Sequence, residues 1–362
     1  MNFLDEQFAI FHQRSLPEKM NFFKREGRLF DVVYAQQFDR ALLDMVYKIT
    51  NSLRQIAKTK EGLIYLQTIL GHKRAMLYFN QPSSRTFLSF QNACYLLGMK
   101  TSEIRDPTIS SEVKGESMDD SLRTFSSYTD LLIIRSQAQN VSERASWLLN
   151  TFSKRPVPVM NGGSGSDQHP TQGILDIYTL QRSFEEQGGL DGKTIVLCGD
   201  LKRGRTARSL SDLLKNFNDI KLIFTAPKNF QMREDILASL DQHQVSYKLE
   251  TENLRNVLAE ADAIYMTRIQ DEHDTFSGES GLIDTSKFKL KMDDLPLLKK
   301  HTAILHPFPR RDEIDVQIDS DPRAKYWRQE RNGMWTRTAL IAYIFNVHLE
   351  ILDYYQAEKS YE

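Results

Sequence analysis

Cysteine is scarce in this sequence, and Cys94 and Cys198 are the only two among 362 residues. Each lies within an apolar segment, and the two do not have the spacing of metal ligands. This excludes a scaffold stapled by many disulfides and a metal centre built from cysteines. We predict that both are reduced thiols within a hydrophobic core.

An excess of charge of either sign is also missing, because 47 Lys and Arg residues face 48 Asp and Glu residues. This balance argues against nucleic acid or an anionic membrane as a partner. No apolar run approaches the ~20 residues of a transmembrane helix. The first six residues lack the basic-then-apolar layout of a signal peptide. We therefore expect a soluble, cytoplasmic protein.

What the sequence does contain is an alternation of short apolar runs with segments of helical periodicity. This alternation is typical of α/β folds, in which a mostly parallel sheet is covered on both faces. In the first half the predicted strands are 75–79, 130–135 and 156–161, and the predicted helices are 36–58, 84–97, 117–128, 141–150 and 170–184. In the second half the predicted strands are 193–198, 221–225, 246–249, 263–266 and 303–305, with helices at 205–217, from 232, at 252–259 and at 336–354.

The chain is long enough for two domains, because single cores rarely grow beyond ~250–300 residues. The polar, glycine-rich stretch 185–192 is the best candidate for a linker. We predict two doubly wound parallel-sheet domains over residues 61–187 and 188–335, after an N-terminal helical extension over residues 1–60. Ligands of such sheets bind beyond the carboxyl ends of the strands, so we expect an active site in the cleft between the domains.

The tetrapeptide Ser-Ser-Arg-Thr at 83–86 lies where a predicted strand ends and a predicted helix begins. Backbone N–H groups without helical partners and the positive end of the helix dipole meet at such a junction. With two serine hydroxyls, a threonine hydroxyl and a guanidinium, they could hold a phosphate group. The alternative is an ordinary serine N-cap followed by a solvated arginine, and the tetrapeptide alone favours that alternative.

Further motifs follow in order: Lys114-Gly115-Glu116, His169-Pro170-Thr171-Gln172, Asp200-Leu201-Lys202-Arg203-Gly204-Arg205-Thr206, Met266-Thr267-Arg268-Ile269-Gln270 and His306-Pro307-Phe308-Pro309-Arg310. Each motif is weak alone, but the ordered set resembles the catalytic chains of the aspartate carbamoyltransferase family. The resemblance implies carbamoyl transfer from carbamoyl phosphate to the amino group of L-aspartate, giving N-carbamoyl-L-aspartate and phosphate for pyrimidine biosynthesis. It implies no cofactor and no metal. It makes the first domain the carbamoyl-phosphate-binding domain, with the C-terminal helix at 336–362 packing back onto it, and the second the aspartate-binding domain.

The resemblance also assigns residues to the carbamoyl phosphate site. They are Ser83, Ser84, Arg85, Thr86, Arg135, His169, Gln172, Pro307 and Phe308. Within this set Arg85, Thr86 and His169 match the catalytic groups that polarise the carbonyl oxygen. Gln172 would accept a hydrogen bond from the carbamoyl NH₂ group, as would backbone carbonyls of the 307–308 loop. The family's form of this loop predicts a cis peptide bond between Phe308 and Pro309.

For aspartate, the matching positions are Lys114, Arg205, Arg268 and Gln270. The planar guanidinium groups suit bidentate binding of carboxylates. Lys114, which also counts as catalytic, and Ser110 belong to a polar loop that reaches into a neighbouring subunit's site in this family. The resemblance therefore implies a homotrimer with shared active sites, and it leaves open whether a regulatory chain binds.

Some positions depart from the family pattern. Phe87 replaces a usual arginine and Gln91 a usual glutamate, and these positions lie one helical turn apart, so both members of an ion pair are lost together. Gln81 and His273 form a second pair of changes, with an expected effect on domain closure. Phe308 replaces a usual leucine and is expected to add bulk beside the substrate. None of these changes removes a group assigned to the chemistry.

Two other functions stay open at this point. Ornithine carbamoyltransferases usually carry a His-Cys-Leu-Pro loop and a Ser-Met-Gly segment, and neither occurs here. A catalytically inactive scaffold is the second alternative. Such a scaffold need not keep all of Arg85, Lys114, His169, Arg205 and Arg268.

Overall fold

The computed structural model describes residues 3–105, 115–165, 168–271, 274 and 279–359. The chain forms two compact units, Met1–Thr171 with Gly333–Glu362, and Gln172–Asn332. These limits differ from the predicted domain limits, because the chain passes between the units within helices and not within the glycine-rich stretch 185–192. Residues 1–60 belong to the first unit.

The first unit contains a small antiparallel hairpin and a four-stranded parallel sheet. Its strands are β1 (Lys24–Arg25), β2 (Arg28–Leu29), β3 (Arg74–Phe79), β4 (Lys100–Ile104), β5 (Leu131–Ser136) and β6 (Val159–Ser164). The parallel strands lie in the order β4-β3-β5-β6. The chain therefore builds the sheet to one side of β3 and then to the other, and the direction changes between β3 and β5. In doubly wound sheets this change of direction marks the ligand site.

The second unit contains a five-stranded parallel sheet of the same kind. Its strands are β7 (Thr194–Cys198), β8 (Lys221–Thr225), β9 (Ser246–Glu250), β10 (Ala263–Met266) and β11 (Ala303–Leu305). They lie in the order β11-β10-β7-β8-β9, so the direction changes between β7 and β10. The prediction of two doubly wound parallel-sheet domains is confirmed.

Helices connect these strands. They are α1 (Phe3–His12), α2 (Leu16–Phe22), α3 (Arg40–Ile56), α4 (Lys60–Ile69), α5 (Ser84–Leu96), α6 (Met118–Tyr128), α7 (Val141–Phe152), α8 (Pro170–Ser183), α9 (Arg205–Leu214), α10 (Glu234–Gln242), α11 (Tyr326–Ile344) and α12 (His348–Lys359). The chain crosses from the first unit to the second within α8 and returns within α11. Within the described part of the chain, no helix has the length and apolar character needed to span a membrane.

Burial follows the apolar runs of the sequence. Every residue of β5 is buried, as expected for a parallel strand covered on both faces. Helix α3 begins after Asp39, whose carboxylate accepts a hydrogen bond from the N–H of Leu42 at 2.9 Å. The buried side chains of α3 recur at helical spacing, which confirms the helix predicted over 36–58 with slightly shorter ends.

The N-terminal segment shows how tertiary contacts order a stretch without clean periodicity. The rings of Phe8 and Phe11, both on α1, pack against Trp147 on α7, with centroids 5.4 and 6.4 Å apart. Phe11 and Phe23 are buried in the same core. The helical extension predicted over residues 1–60 included no individual helix before residue 36, and packing against α7 explains why α1 forms there.

Several predicted elements need correction. Strand β4 was not predicted, because Lys-Thr-Ser-Glu-Ile is a mostly polar edge strand. Strand β6 begins three residues later than predicted, after prolines 156 and 158, which carry no N–H donor. The helix predicted over 252–259 is reduced to a short 3₁₀ segment, Leu254–Val257.

The predicted final helix over 336–354 is in fact two helices, α11 and α12. Asn346 adopts a left-handed backbone conformation with φ of 59°. The N–H of Val347 donates to the carbonyl of Ala342 at 3.0 Å, which closes the end of α11. Asparagine tolerates this conformation better than most residues, so it ends the helix despite the apolar sequence on either side.

Candidate active site

The tetrapeptide 83–86 lies between the carboxyl end of β3 and the first turn of α5. Ser83 occupies the N-cap position, but its hydroxyl makes no capping hydrogen bond to the helix. Thr86 is buried and Arg85 is exposed. The Ser83 hydroxyl therefore does not act as an ordinary N-cap. The N–H groups and hydroxyls of the first turn of α5 lie where a helix can bind a phosphate.

Arg135 lies near the carboxyl end of the neighbouring strand β5, where it pairs with Phe79, the last residue of β3. Its side chain is buried, and Nη1 donates to the carbonyl of Gly162 at 3.0 Å. A side chain at position 162 would place its Cβ 3.2 Å from the carbonyl oxygen of Ile134, so the absence of a side chain permits this close packing. The strand predicted over 130–135 is confirmed as β5, and Arg135 lies near its carboxyl end, next to β3.

His169 is buried and directly precedes Pro170, the first residue of α8. The loop before it is held by Gln168, whose Oε1 accepts a hydrogen bond from the N–H of Ala35 at 2.7 Å. This contact with the N-terminal segment fixes the position of His169, immediately before α8.

Phe87 shows how this chain fills the position of the family's arginine. The ring is buried and packs edge-on against Phe79, with centroids 5.4 Å apart. The guanidinium carbon of Arg105, which follows β4, lies 4.3 Å from the centre of the Phe87 ring, within the range of a cation–π contact. The guanidinium group of Arg105 therefore covers the ring of Phe87, the residue that replaces the family's arginine.

In the second unit, Arg205 is the first residue of α9, in the connection that follows β7. The connection passes close to the end of β10 at Gly199, which has φ of 119°. A Cβ at this position would lie 2.0 Å from the carbonyl oxygen of Thr267. Only glycine allows this approach, which brings the segments after β7 and β10 together at the switch point of the sheet.

Asp200 is the centre of that junction and had no assigned role in the sequence analysis. Its fully buried carboxylate accepts from Nε of Arg203 at 2.7 Å and from the backbone N–H of Gln270 at 3.1 Å. Arg203 also pairs with Asp274 at 2.8 Å. Arg203 is thus held in structural ion pairs, and Asp200 fixes the backbone of Gln270.

Arg268 follows β10 and keeps most of its side chain within the protein. Its Nη1 donates to the carbonyl of Ile269 at 2.9 Å and lies 3.8 Å from Asp271. Arg311 holds Asp271 through two hydrogen bonds of 2.8 and 3.0 Å. Arg205 therefore follows β7, and Arg268 and Gln270 follow the neighbouring strand β10, in agreement with the strands predicted at 193–198 and 263–266.

The loop at 306–309 follows β11 and contains the predicted cis bond between Phe308 and Pro309. Nδ1 of His306 accepts from the N–H of Phe308 at 2.8 Å, while Nε2 pairs with Glu313 at 2.5 Å. Burial opposes ionisation of Glu313, but the contact with His306 lowers its pKa below the usual value. These contacts fix the tautomer of His306, with Nε2 as the donor.

The Phe308 ring is turned towards the start of α11. It packs against Tyr326 and Trp327 with centroid distances of 5.9 and 5.0 Å. Pro307 is partly buried beside it. The extra bulk of phenylalanine relative to leucine is thus accommodated by an aromatic cluster within the second unit.

Gln172 is buried on α8 and donates from Nε2 to Oδ1 of Asp176 at 3.0 Å. Its carbonyl oxygen is thereby oriented as the acceptor, as its predicted role requires. Asp176 is fully buried, which raises its pKa to about 7 although its hydrogen bonds oppose the shift. Asp176 was not among the predicted site residues, and the signal that could have found it is an aspartate one helical turn after Gln172.

Three predicted residues, Ser110, Lys114 and His273, lie outside the described residues. In the first unit, residues 83–86 follow β3, Arg135 lies near the carboxyl end of β5, and His169 follows β6. In the second unit, Arg205 follows β7, Arg268 and Gln270 follow β10, and Pro307 and Phe308 follow β11, while Gln172 lies on α8. Each unit brings its own set together at one edge of its sheet, as expected for ligand binding in parallel sheets.

Comparison with known proteins identifies the family. Residues 31–182 match the aspartate/ornithine carbamoyltransferase carbamoyl-P binding domain, and residues 191–344 match the Asp/Orn binding domain of the same family. The chain belongs to the aspartate/ornithine carbamoyltransferase family. The gap between the two matches, residues 183–190, overlaps the predicted linker at 185–192, although the two compact units divide within α8.

Similar family members are aspartate carbamoyltransferases. The chloroplastic aspartate carbamoyltransferase 1 of Pisum sativum is 37% identical over 319 residues, which cover 87% of this chain and 78% of the relative. The aspartate carbamoyltransferase catalytic subunit of Staphylothermus marinus is 34% identical over 317 residues, covering 88% of this chain and 97% of the relative.

Solved structures of family members share the fold. The catalytic subunit of M. jannaschii aspartate transcarbamoylase matches with a TM-score of 0.77 and 31% identity, covering 88% of this chain and 98% of that one. Aspartate transcarbamoylase from Trypanosoma cruzi in complex with N-(phosphonacetyl)-L-aspartic acid matches with a TM-score of 0.77 and 31% identity, covering 87% and 97%.

Proposed function

We propose that this protein is an aspartate carbamoyltransferase, which transfers the carbamoyl group of carbamoyl phosphate to L-aspartate in pyrimidine biosynthesis. The products are N-carbamoyl-L-aspartate and inorganic phosphate. The family membership and the named relatives support this reaction, and the arrangement of side chains in each unit supports the choice of substrates.

The first unit supports binding of the phosphate group of an acyl phosphate. The hydroxyl of Ser83 is not used for capping, Arg85 is exposed beside it, and buried Arg135 lies on the adjacent strand. Backbone N–H groups at the start of α5 add further donors. A phosphate dianion needs several cations and donors of this kind, and a helix start next to two arginines provides them.

The observation that carries the choice of aspartate is the position of Arg205, Arg268 and Gln270. All three follow the neighbouring strands β7 and β10 of the second sheet, where Asp200 and Gly199 hold the chain in place. Two guanidinium groups suit a substrate with two carboxylates, whereas ornithine carries only one.

In the reaction, the lone pair of the aspartate amine forms a bond to the carbonyl carbon of carbamoyl phosphate. The bond between that carbon and the bridging phosphate oxygen breaks, and the electron pair leaves with the phosphate. The amine proton passes to the leaving phosphate or to solvent. Arg85, Thr86 and His169 stabilise the charge on the carbonyl oxygen, so the catalytic contribution is positional and electrostatic.

The assembly and location belong to the same proposal. The motif order that this chain shares with its family supports a homotrimer, in which Ser110 and Lys114 complete the active site of a neighbouring subunit. The two free, buried cysteines support a reducing compartment, in line with a cytoplasmic location.

An assay with two amines separates the three candidate functions. Purified protein would be incubated with carbamoyl phosphate and either L-aspartate or L-ornithine, and N-carbamoyl-L-aspartate, citrulline and phosphate would be measured. Formation of N-carbamoyl-L-aspartate alone supports the proposal. Citrulline would show the ornithine reaction, and binding of carbamoyl phosphate without either product would show an inactive scaffold. A matched Arg205→Ala chain controls for contaminating enzyme.

A further inference from the structure

A buried carboxylate lies at the centre of the second unit's hydrogen-bond network. Oδ1 of Asp176 accepts from Nε2 of Gln172 at 3.0 Å and from Nε2 of Gln329 at 2.7 Å. Oδ2 accepts from the hydroxyl of Tyr265 at 2.8 Å. The donors come from α8, α11 and β10, and Asp176 has no exposed surface.

Gln329 extends the network to the loop after β11. While its Nε2 donates to Asp176, its Oε1 accepts from the backbone N–H of His306 at 2.8 Å. Nδ1 of His306 then accepts from the N–H of Phe308 at 2.8 Å. A continuous series of hydrogen bonds therefore runs from Asp176 to the 307–308 loop.

Each glutamine has two possible orientations of its amide, and Asp176 selects one of them. A carboxylate oxygen can only accept from the amide, so both Nε2 groups point to it and both Oε1 atoms point away. Without that acceptor, the Gln172 amide could turn and present its NH₂ group where an acceptor is needed. The Gln329 amide could likewise lose its contact with His306.

We propose that Asp176 is a positioning residue that directs the acceptors of the carbamoyl NH₂ group, which are the Gln172 carbonyl and the 307–308 backbone carbonyls. This inference rests on the proposed function, because it assigns a task to the same site. Asp176 acts through Gln172 and Gln329. Its effect is therefore specific for the NH₂ group of the substrate and leaves recognition of the phosphate unchanged.

Acetyl phosphate is the probe that isolates this effect, since it carries a methyl group in place of the NH₂ group. Direct binding of carbamoyl phosphate and of acetyl phosphate would be measured by calorimetry for the wild-type chain and for Asp176→Ala. The substitution should weaken carbamoyl phosphate about tenfold or more and acetyl phosphate less than about threefold, because only the former loses hydrogen bonds to oriented acceptors.

Asp176→Asn is the matched conservative variant. An asparagine Oδ1 can still accept from both glutamines, and its Nδ2 can donate to the Tyr265 oxygen once that hydroxyl turns. This variant should therefore keep the discrimination between the two phosphates within about threefold of wild type. Loss of discrimination in Asp176→Asn equal to that in Asp176→Ala would overturn the proposal.

Gln329→Met gives a second route if Asp176→Ala folds poorly, as thermal unfolding would show. This substitution breaks the series at its next member, so it should also weaken carbamoyl phosphate selectively. The double variant with Asp176→Ala should be less severe than the product of the two single effects, because both act through one network. Equal weakening of both phosphates, or unchanged binding in both variants, would refute a positioning role.

These measurements do not depend on turnover with aspartate. If the wild-type chain fails to form N-carbamoyl-L-aspartate, the proposed function fails. If it forms the product while the Asp176 and Gln329 variants discriminate as wild type does, only the present inference fails.

Discussion

The backbone N–H of Gln270 donates a hydrogen bond to Oδ2 of Asp200, with 3.1 Å between the two atoms. Asp200 follows β7 and Gln270 follows β10, so this bond joins the segments that follow two neighbouring strands of the second sheet. The same oxygen accepts from Arg203 at 2.7 Å. The buried Asp200 side chain therefore fixes the backbone from which the Gln270 side chain extends.

Gln270→Ala should raise the KM for aspartate by about 10- to 100-fold, since it removes a hydrogen bond to a charged group. The KM for carbamoyl phosphate should change much less. Steady-state kinetics with each substrate varied in turn would measure both values. Gln242→Ala, an exposed glutamine at the end of α10, is the control. Equal changes in the KM values for aspartate and carbamoyl phosphate would contradict the assignment of Gln270 to aspartate binding.

Arg85→Ala should abolish most turnover, because one cation is removed from both the phosphate and the carbonyl oxygen. Loss of a single transition-state donor typically costs ~10²–10³ in rate. Single-substrate kcat measurements at saturating aspartate would test this. Arg182→Ala, which removes an exposed pair with Glu185, should leave kcat unchanged. A fall of less than tenfold in Arg85→Ala would remove 83–86 as the phosphate site.

Asp31→Asn should flatten the dependence of stability on pH. Asp31 is fully buried, and burial raises its pKa to about 7 despite hydrogen bonds from the N–H of Val159 and from Asn150, each at 2.7 Å. The folded protein therefore holds this proton more tightly than the unfolded chain. The stabilising contribution is fully present below the unfolded pKa and is lost as the pH rises through about 7.

Urea unfolding between pH 5 and pH 8 would measure that dependence. One such group changes the free energy of unfolding by at most about 1.4 kcal/mol per pH unit. Asp176 has the same raised pKa and contributes a parallel slope, so Asp31→Asn should remove only part of the total. Asp44→Asn, on the surface of α3, is the control. If Asp31→Asn left the pH dependence of the free energy of unfolding unchanged, the raised pKa of Asp31 would be contradicted.

Lys114→Ala and Arg205→Ala chains should each be inactive alone but active when mixed. If Lys114 completes a neighbour's site, hybrid trimers contain a site that takes Arg205 from one chain and Lys114 from the other. Activity would be assayed after gentle dissociation and reassociation, with subunit exchange verified by mass spectrometry of differently labelled chains. Verified exchange without recovered activity would refute shared sites. The control is each variant taken alone through the same dissociation and reassociation.

Much of the local structure could be predicted from the sequence because its causes are local. Continuous apolar runs such as Leu131 to Ile134 predict buried parallel strands, and the polar motifs after them follow the strand ends in the structure. The turn from β3 into α5 was also predicted from nearby residues, whereas the cis bond before Pro309 was predicted from the family resemblance. The order of these motifs was enough to indicate the family.

The tertiary structure decided what depends on distant partners. The polar edge strand β4 exists because β3 supplies its hydrogen bonds, and α1 is held by an aromatic core that includes Trp147. Asp176 and Gln329 are 153 residues apart, and no local pattern indicates that they meet. A buried carboxylate is costly unless donors surround it, and here they come from separate elements that only the folded chain brings together.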